Sequence, residues 1–140
     1  MTSDQPKLLL VDDTPANLVA AKALLEEMGC RVLEAESGQK ALLLMDQHEF
    51  ALVLLDVQMP VMDGYEVAKR IRDNPKIKDV PIIFVTADRS PKPLDKFMAA
   101  GAVGNLYKPL DPEQLKRKVT LFLNIYKQKQ RKKTQKIDTQ

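Results

Sequence analysis

Five short apolar runs, each followed by a helical pattern, constrain this chain more than any other feature. Lys7 to Val11, Arg31 to Ala35, Ala51 to Leu55, Pro81 to Val85 and Asn105 to Tyr107 read as strands. The third is apolar throughout rather than alternating, and strands of that kind are covered on both faces. Helical signals fill the gaps. Thr14-Pro15 reads as an N-cap and first helical residue, and Leu18, Ala21, Leu25 and Met28 make one stripe that Gly29 stops. Ser37 caps a second helix carrying Ala41, Leu44 and Met45, and Tyr65 to Arg72 forms a third. Ser90-Pro91 opens a fourth through Leu94, Phe97 and Met98, ended by Gly101. Asp111-Pro112 starts the fifth, with the stripe Leu115, Val119, Phe122 and Tyr126. Crossovers of about 20–25 residues suit right-handed strand–helix–strand units. The predicted fold is α/β, a doubly wound five-stranded parallel sheet with helices on both faces.

The length, 140 residues, holds one domain with a core that needs no disulfide. Cys30 is the single cysteine, which excludes an internal bridge and points to a reducing cytoplasm. No apolar run approaches the roughly 20 residues that span a bilayer, and the polar start, Met1 to Lys7, argues against a signal peptide. The net charge of +3 is unevenly spread. Residues 1–126 carry 16 Lys+Arg against 18 Asp+Glu, a net −2, whereas residues 127–140 carry six basic residues against one acid, a net +5. The chain is therefore expected to divide into a mildly acidic domain over 1–126 and a basic helix extension or linker over 127–140.

Four strands end in residues that carry chemistry: Asp12-Asp13, Asp56, Thr86 and Lys108. In an open parallel sheet, ligands sit outside the carboxyl ends of the strands. Three carboxylates brought together there repel one another unless a cation joins them. Mg²⁺ suits such a site, because it takes a few carboxylate oxygens and completes its shell with water or a phosphoryl oxygen. One carboxylate then serves as a nucleophile toward phosphorus. Asp56 is the candidate, since it ends the most apolar and hence most central strand. Asp13 and Asp56 are the expected direct ligands, Asp12 the residue that places a metal-bound water, and the Gln58 carbonyl a further ligand. Thr86 and Lys108 are the groups to contact a bound phosphoryl.

With these residues in place, the chain resembles the receiver domain of two-component response regulators over about residues 5–126. The resemblance rests on Leu9-Leu10-Val11-Asp12-Asp13, Leu55-Asp56-Val57-Gln58-Met59-Pro60, Met62-Asp63-Gly64, Val85-Thr86-Ala87 and Tyr107-Lys108-Pro109. It implies strand order 2-1-3-4-5, a cis peptide before Pro109, and Mg²⁺-dependent phosphoryl transfer from a histidine kinase to Asp56. It also implies a switch of the face built from the fourth helix, fifth strand and fifth helix, and a role for Gln58 and Asp88 in tuning dephosphorylation. The family's usual switch aromatic, three residues before the lysine, is Asn105 here; Tyr107 lies on the same strand face and is the candidate substitute.

The implied protein is a signalling domain rather than an enzyme. Its partners would be a sensor histidine kinase or phosphotransfer protein, an effector module beyond the C-terminus, and a second copy through the switch face. Direct nucleic-acid or membrane contact is not expected, because no recognition pattern accompanies the basic tail. A Mg²⁺-dependent phosphohydrolase is one alternative, though Gln58 stands where such enzymes commonly place a second acid. A degenerate receiver that only binds proteins is another. A flavin-binding relative is disfavoured, since Asp12-Asp13 would repel a phosphate. His48 reads as a satisfied or solvated histidine, Cys30 as a small buried apolar residue, and Gly64 as the residue permitting a tight turn into the third helix.

Overall fold

The computed structural model describes the backbone of residues 5–89 and 91–138, and the side chains of residues 5–89 and 95–133. Its elements are β1 (Lys7–Val11), α1 (Pro15–Glu26), β2 (Arg31–Ala35), α2 (Gly38–Gln47), β3 (Leu52–Asp56), α3 (Gly64–Arg72), β4 (Ile82–Thr86), α4 (Pro91–Ala99), β5 (Gly104–Tyr107) and α5 (Pro112–Asp138). All five strands pair in parallel, in the order β2-β1-β3-β4-β5. This is the flavodoxin-like doubly wound sheet, with its order reversing between β1 and β3.

The uniformly apolar strands have a direct physical meaning here. Successive side chains on a strand point to opposite faces, and each face has its own core. Leu9, Val11, Val53, Leu55, Ile82 and Phe84 pack with residues of α2, α3 and α4. Leu8, Leu10, Leu52, Leu54, Ile83 and Val85 pack with residues of α1 and α5. Every residue of β3 and β4 is buried.

Local signals set most helix ends. Ser37 Oγ accepts from the Lys40 N–H at 3.1 Å, and Asp63 Oδ1 accepts from the Glu66 N–H at 2.9 Å. Asp111 Oδ1 accepts from the Glu113 N–H at 3.1 Å. Thr14 occupies the N-cap of α1, but its side chain makes no capping bond, so Pro15 alone carries that start. Gly29 follows α1 in the left-handed region at φ 78°.

Three expectations need correcting. Met98 is 77% exposed, so the core stripe of α4 rests on Phe97 instead. On α5 the buried stripe is Leu115, Val119 and Leu123, and Phe122 and Tyr126 sit half-buried at its edge, because the helix meets the sheet on the face one residue further round. Gly64 does permit the tight turn, through close approach: a Cβ there would stand 2.5 Å from the carbonyl oxygen of Asp56, while the left-handed residue of this turn is Val61, at φ 67°. The apolar runs at residues 51 and 81 begin one residue before the ladder does, and Asp56 and Thr86 are themselves the last strand residues. Ser90 and the Leu94 side chain lie outside the described residues.

Candidate functional site

The parallel ladder aligns the strand ends. In register, Asp56 pairs with Val85 and Thr86 with Tyr107, while Val11 pairs with Leu55. Asp12 and Asp13 therefore leave β1 beside the end of β3, and Thr86 and Lys108 leave β4 and β5 next to it. Carboxylate oxygens of Asp12, Asp13 and Asp56 all lie within 4.8 Å of one another. Asp12, Asp56 and Thr86 are buried, and Asp13 is exposed.

Lys108 Nζ lies 3.2 Å from Asp12 Oδ2 and 3.2 Å from Asp56 Oδ2. Asp56 Oδ1 accepts from the Gln58 N–H at 3.2 Å. Asp12 Oδ1 accepts from the Thr14 N–H at 2.9 Å, and its Oδ2 from Asn17 Nδ2 at 3.2 Å. Thr86 Oγ1 accepts from the Asp88 N–H at 3.1 Å. The Lys108–Pro109 peptide is cis. Asp12, Asp13, Asp56 and Lys108 thus meet at the strand ends, Gln58 joins through its backbone, and Thr86 ends the neighbouring strand.

Electrostatics follow the geometry. Burial, and then the neighbouring Asp12 carboxylate, push the Asp56 carboxyl above the usual range, against the pull of Lys108. Burial alone would lower the Lys108 ammonium, but Asp56 and Asp12 outweigh it and hold it above its ordinary value. Two buried carboxylates share one cation, and a third carboxylate stands at the rim. Three hard oxygen donors at this spacing fit a hard divalent ion such as Mg²⁺.

Sequence reasoning missed Asn17. It lies in the first turn of α1, five residues after Asp12, and that position in the Thr14-Pro15-Ala16-Asn17 segment is the available signal. It also missed Arg89, whose guanidinium stacks over the Tyr107 ring at 4.7 Å. Beside Asp12 and Lys108 a cleft of about 260 Å³ opens between α1 and the Pro109-Leu110 turn, lined by Leu10, Ala20, Leu24 and Val85 among others. The two residues left outside the site behave as expected. Cys30 is buried, its Sγ donating to the Leu25 carbonyl at 3.3 Å, and the His48 Nδ1 lies 3.1 Å from Lys7 Nζ.

An open five-stranded α/β sheet with an acidic cluster, a hydroxyl and a lysine at its strand ends is the architecture of a signalling receiver domain. Residues 8–120 match the response regulator receiver domain family, and the chain belongs to that family. It is 37% identical over 139 residues to Histidine kinase 3 of Arabidopsis thaliana, covering 84% of this chain but 13% of that protein. The chain thus spans well under a third of that relative's length. Among solved structures it resembles the chemotaxis protein CheY4 of Vibrio cholerae, with a TM-score of 0.80 and 33% identity, covering 84% of this chain and 98% of that one. It also resembles the receiver domain of the sensor histidine kinase PA1611 from Pseudomonas aeruginosa, with a TM-score of 0.78 and 29% identity, covering 86% of this chain and 98% of that one. That structure has a magnesium ion coordinated in its active-site cleft.

Proposed function

We propose that this domain accepts a phosphoryl group on Asp56 from a phosphohistidine of a sensor histidine kinase or phosphotransfer protein. The observation that carries the reading is the Asp56 carboxylate itself: 3% exposed at the end of the central strand, ringed by Asp12, Asp13, Thr86 and Lys108. An Asp56 oxygen attacks phosphorus, the phosphorus–nitrogen bond breaks, and the donor imidazole leaves with the electron pair and takes a proton. The product is an acyl phosphate. Asp12, Asp13, Asp56 and the Gln58 carbonyl would hold Mg²⁺, which when bound neutralises charge on the phosphoryl oxygens.

Lys108 is positioned to exchange its Asp56 contact for a phosphoryl oxygen, and the Thr86 hydroxyl to donate to another. Drawing Thr86 inward pulls on the strand position it shares with Tyr107, and so on Arg89 stacked above it. That is the route by which the α4–β5–α5 face changes. Asp88, whose N–H already bonds Thr86, and Gln58 flank the group and set its hydrolysis. The apolar cleft beside Asp12 supports donor docking there. Exposed Met98, Val103 and Leu121 support pairing of two copies through the switch face.

The domain works as a cytoplasmic switch that catalyses only its own phosphorylation and slow dephosphorylation. Residues 1–126 form the receiver, and 127–140 lead toward the module it controls. The test is incubation with acetyl phosphate and Mg²⁺, read by intact mass. One added phosphoryl group on the wild type and none on Asp56→Asn is expected. Modification that persists in the variant removes Asp56 as acceptor, and multiple turnover on small phosphomonoesters favours a phosphohydrolase instead.

A further inference from the structure

Past Tyr126 the α5 helix does not leave the domain. Tyr126 Oη donates to Glu49 Oε2 at 3.1 Å, which ties the helix to the loop before β3. Over the next two turns, Lys129, Gln130 and Lys133 form one wall of a cavity of about 300 Å³. The segment from Pro75 to Pro81 forms another, and Met45, His48 and Phe50 complete it. The cavity lies at the amino ends of β3 and β4, the opposite pole of the sheet from Asp56.

Its charge is unusual for a domain whose first 126 residues are net acidic. Four lysines line it against two acids, Glu49 and Asp79. Lys76 is held by Asp46, its Nζ 3.0 Å from the main-chain oxygen and 3.5 Å from Oδ1. Lys78, Lys129 and Lys133 make no ion pair among the described residues. Glu49 is engaged by the Tyr126 phenol, which burial first and Glu49 second push up to about 12, so the ring adds no charge at neutral pH. These three exposed lysines on the cavity wall are available to neutralise a bound anion together. Phe50, Ile77 and Val80 supply apolar surface beside them, the mixture of apolar wall and few polar anchors that small-molecule sites use.

We propose that this cavity binds a small phosphorylated anion, its phosphate held among Lys78, Lys129 and Lys133 and its apolar body lying against Phe50 and Ile77. The basic tail then completes a second ligand site with the domain.

The test uses the full chain without Mg²⁺, so that the uncompensated carboxylates Asp12, Asp13 and Asp56 repel the probe from the strand-end cluster. Inorganic pyrophosphate and adenosine 5′-monophosphate are titrated separately while amide NMR shifts are followed. Saturable shifts at His48, Glu49, residues 76–80 and residues 126–133 are expected. In Lys129→Ala/Lys133→Ala the apparent Kd should rise about tenfold or more, and in Lys129→Arg/Lys133→Arg it should stay near the parent value. Thermal melts of both variants check that the fold is intact. Four results overturn the proposal: no saturable shift with either probe, shifts centred on Asp12 and Lys108, a non-saturating drift along every tail lysine, or an affinity unchanged in the alanine variant.

Discussion

Replacing Gly64 by Ala tests how tightly the turn after β3 is folded against the site. A Cβ at Gly64 would stand 2.5 Å from the Asp56 carbonyl oxygen, 2.9 Å from Val57 Cα and 3.1 Å from the Asp56 carbonyl carbon. Ordinary contact begins near 3.4 Å, so the turn must retreat by about 0.9 Å. All three obstacles are backbone, and no rotamer change relieves them. The Gly64 N–H also donates to the Val57 carbonyl at 2.9 Å, a bond the retreat would stretch. Overpacking a tight contact costs about 1–3 kcal/mol, and a rigid backbone on one side puts this case near the upper end. With a urea m-value of roughly 1–3 kcal/mol/M, the unfolding midpoint should fall by about 1 M or more. Because the displaced carbonyl belongs to Asp56, phosphorylation by acetyl phosphate should slow as well, by about tenfold or more. Gly29→Ala is the control. Gly29 has φ 78° but nothing within 4 Å of its would-be Cβ, so only the left-handed conformation, about 1 kcal/mol, is at stake, and phosphorylation should be untouched. If Gly64→Ala costs no more than Gly29→Ala, or phosphorylates at the wild-type rate, the close-approach argument fails.

Four further outcomes follow from the same structure. Val61→Gly should stabilise the fold by about 1 kcal/mol in urea, because a β-branched residue 97% exposed at φ 67° carries strain and little burial; a loss of stability would refute that. Arg72→Ala should destabilise by about 2–3 kcal/mol, since its guanidinium donates to the carbonyls of Lys78, Val80 and Gly101 at 2.6–2.7 Å, and a loss under about 1 kcal/mol would show those bonds to be dispensable. Tyr126 should be the last phenol to ionise in an ultraviolet titration, near 12; its raised value means that its contribution to stability is full below about 10 and disappears as pH rises to about 12. Tyr126→Phe should therefore abolish the latest phase, and loss of a phase near 10 instead would contradict the Glu49 contact. Beryllofluoride should change the ring environment of Tyr107 by NMR, and Arg89→Ala should shrink that change; an unmoved ring would remove Tyr107 from the switch.

The fold was legible because both cores leave their mark on the same strands. A run such as Leu52-Val53-Leu54-Leu55 is explicable only when both faces are covered, and the four chemical strand ends arrive in the order the sheet requires. What stayed hidden depends on contacts distant in the chain. Met98 satisfies helical periodicity as well as Phe97 does, and only the angle at which α4 meets the sheet separates them. The need for glycine at residue 64 comes from the backbone at residue 56. Asn17 and Arg89 are ordinary loop and helix-start residues until Asp12 and Tyr107 are placed beside them. The helical extension of the tail is legible in the sequence, but its tether is not, since nothing local ties Tyr126 to Glu49, 77 residues earlier.

The α5 helix begins four residues after Lys108 and runs unbroken for 27 residues. At 1.5 Å per residue it is a rod about 40 Å long. A tilt of about 5° about its buried stripe moves the far end by about 2–3 Å, whereas the rearrangement at the strand ends need span only one hydrogen bond. The helix is thus a mechanical lever whose short arm rests on the turn that carries Lys108. Its fulcrum is the buried stripe of Leu115, Val119 and Leu123, and the Tyr126–Glu49 tether sets how stiffly the long arm is held.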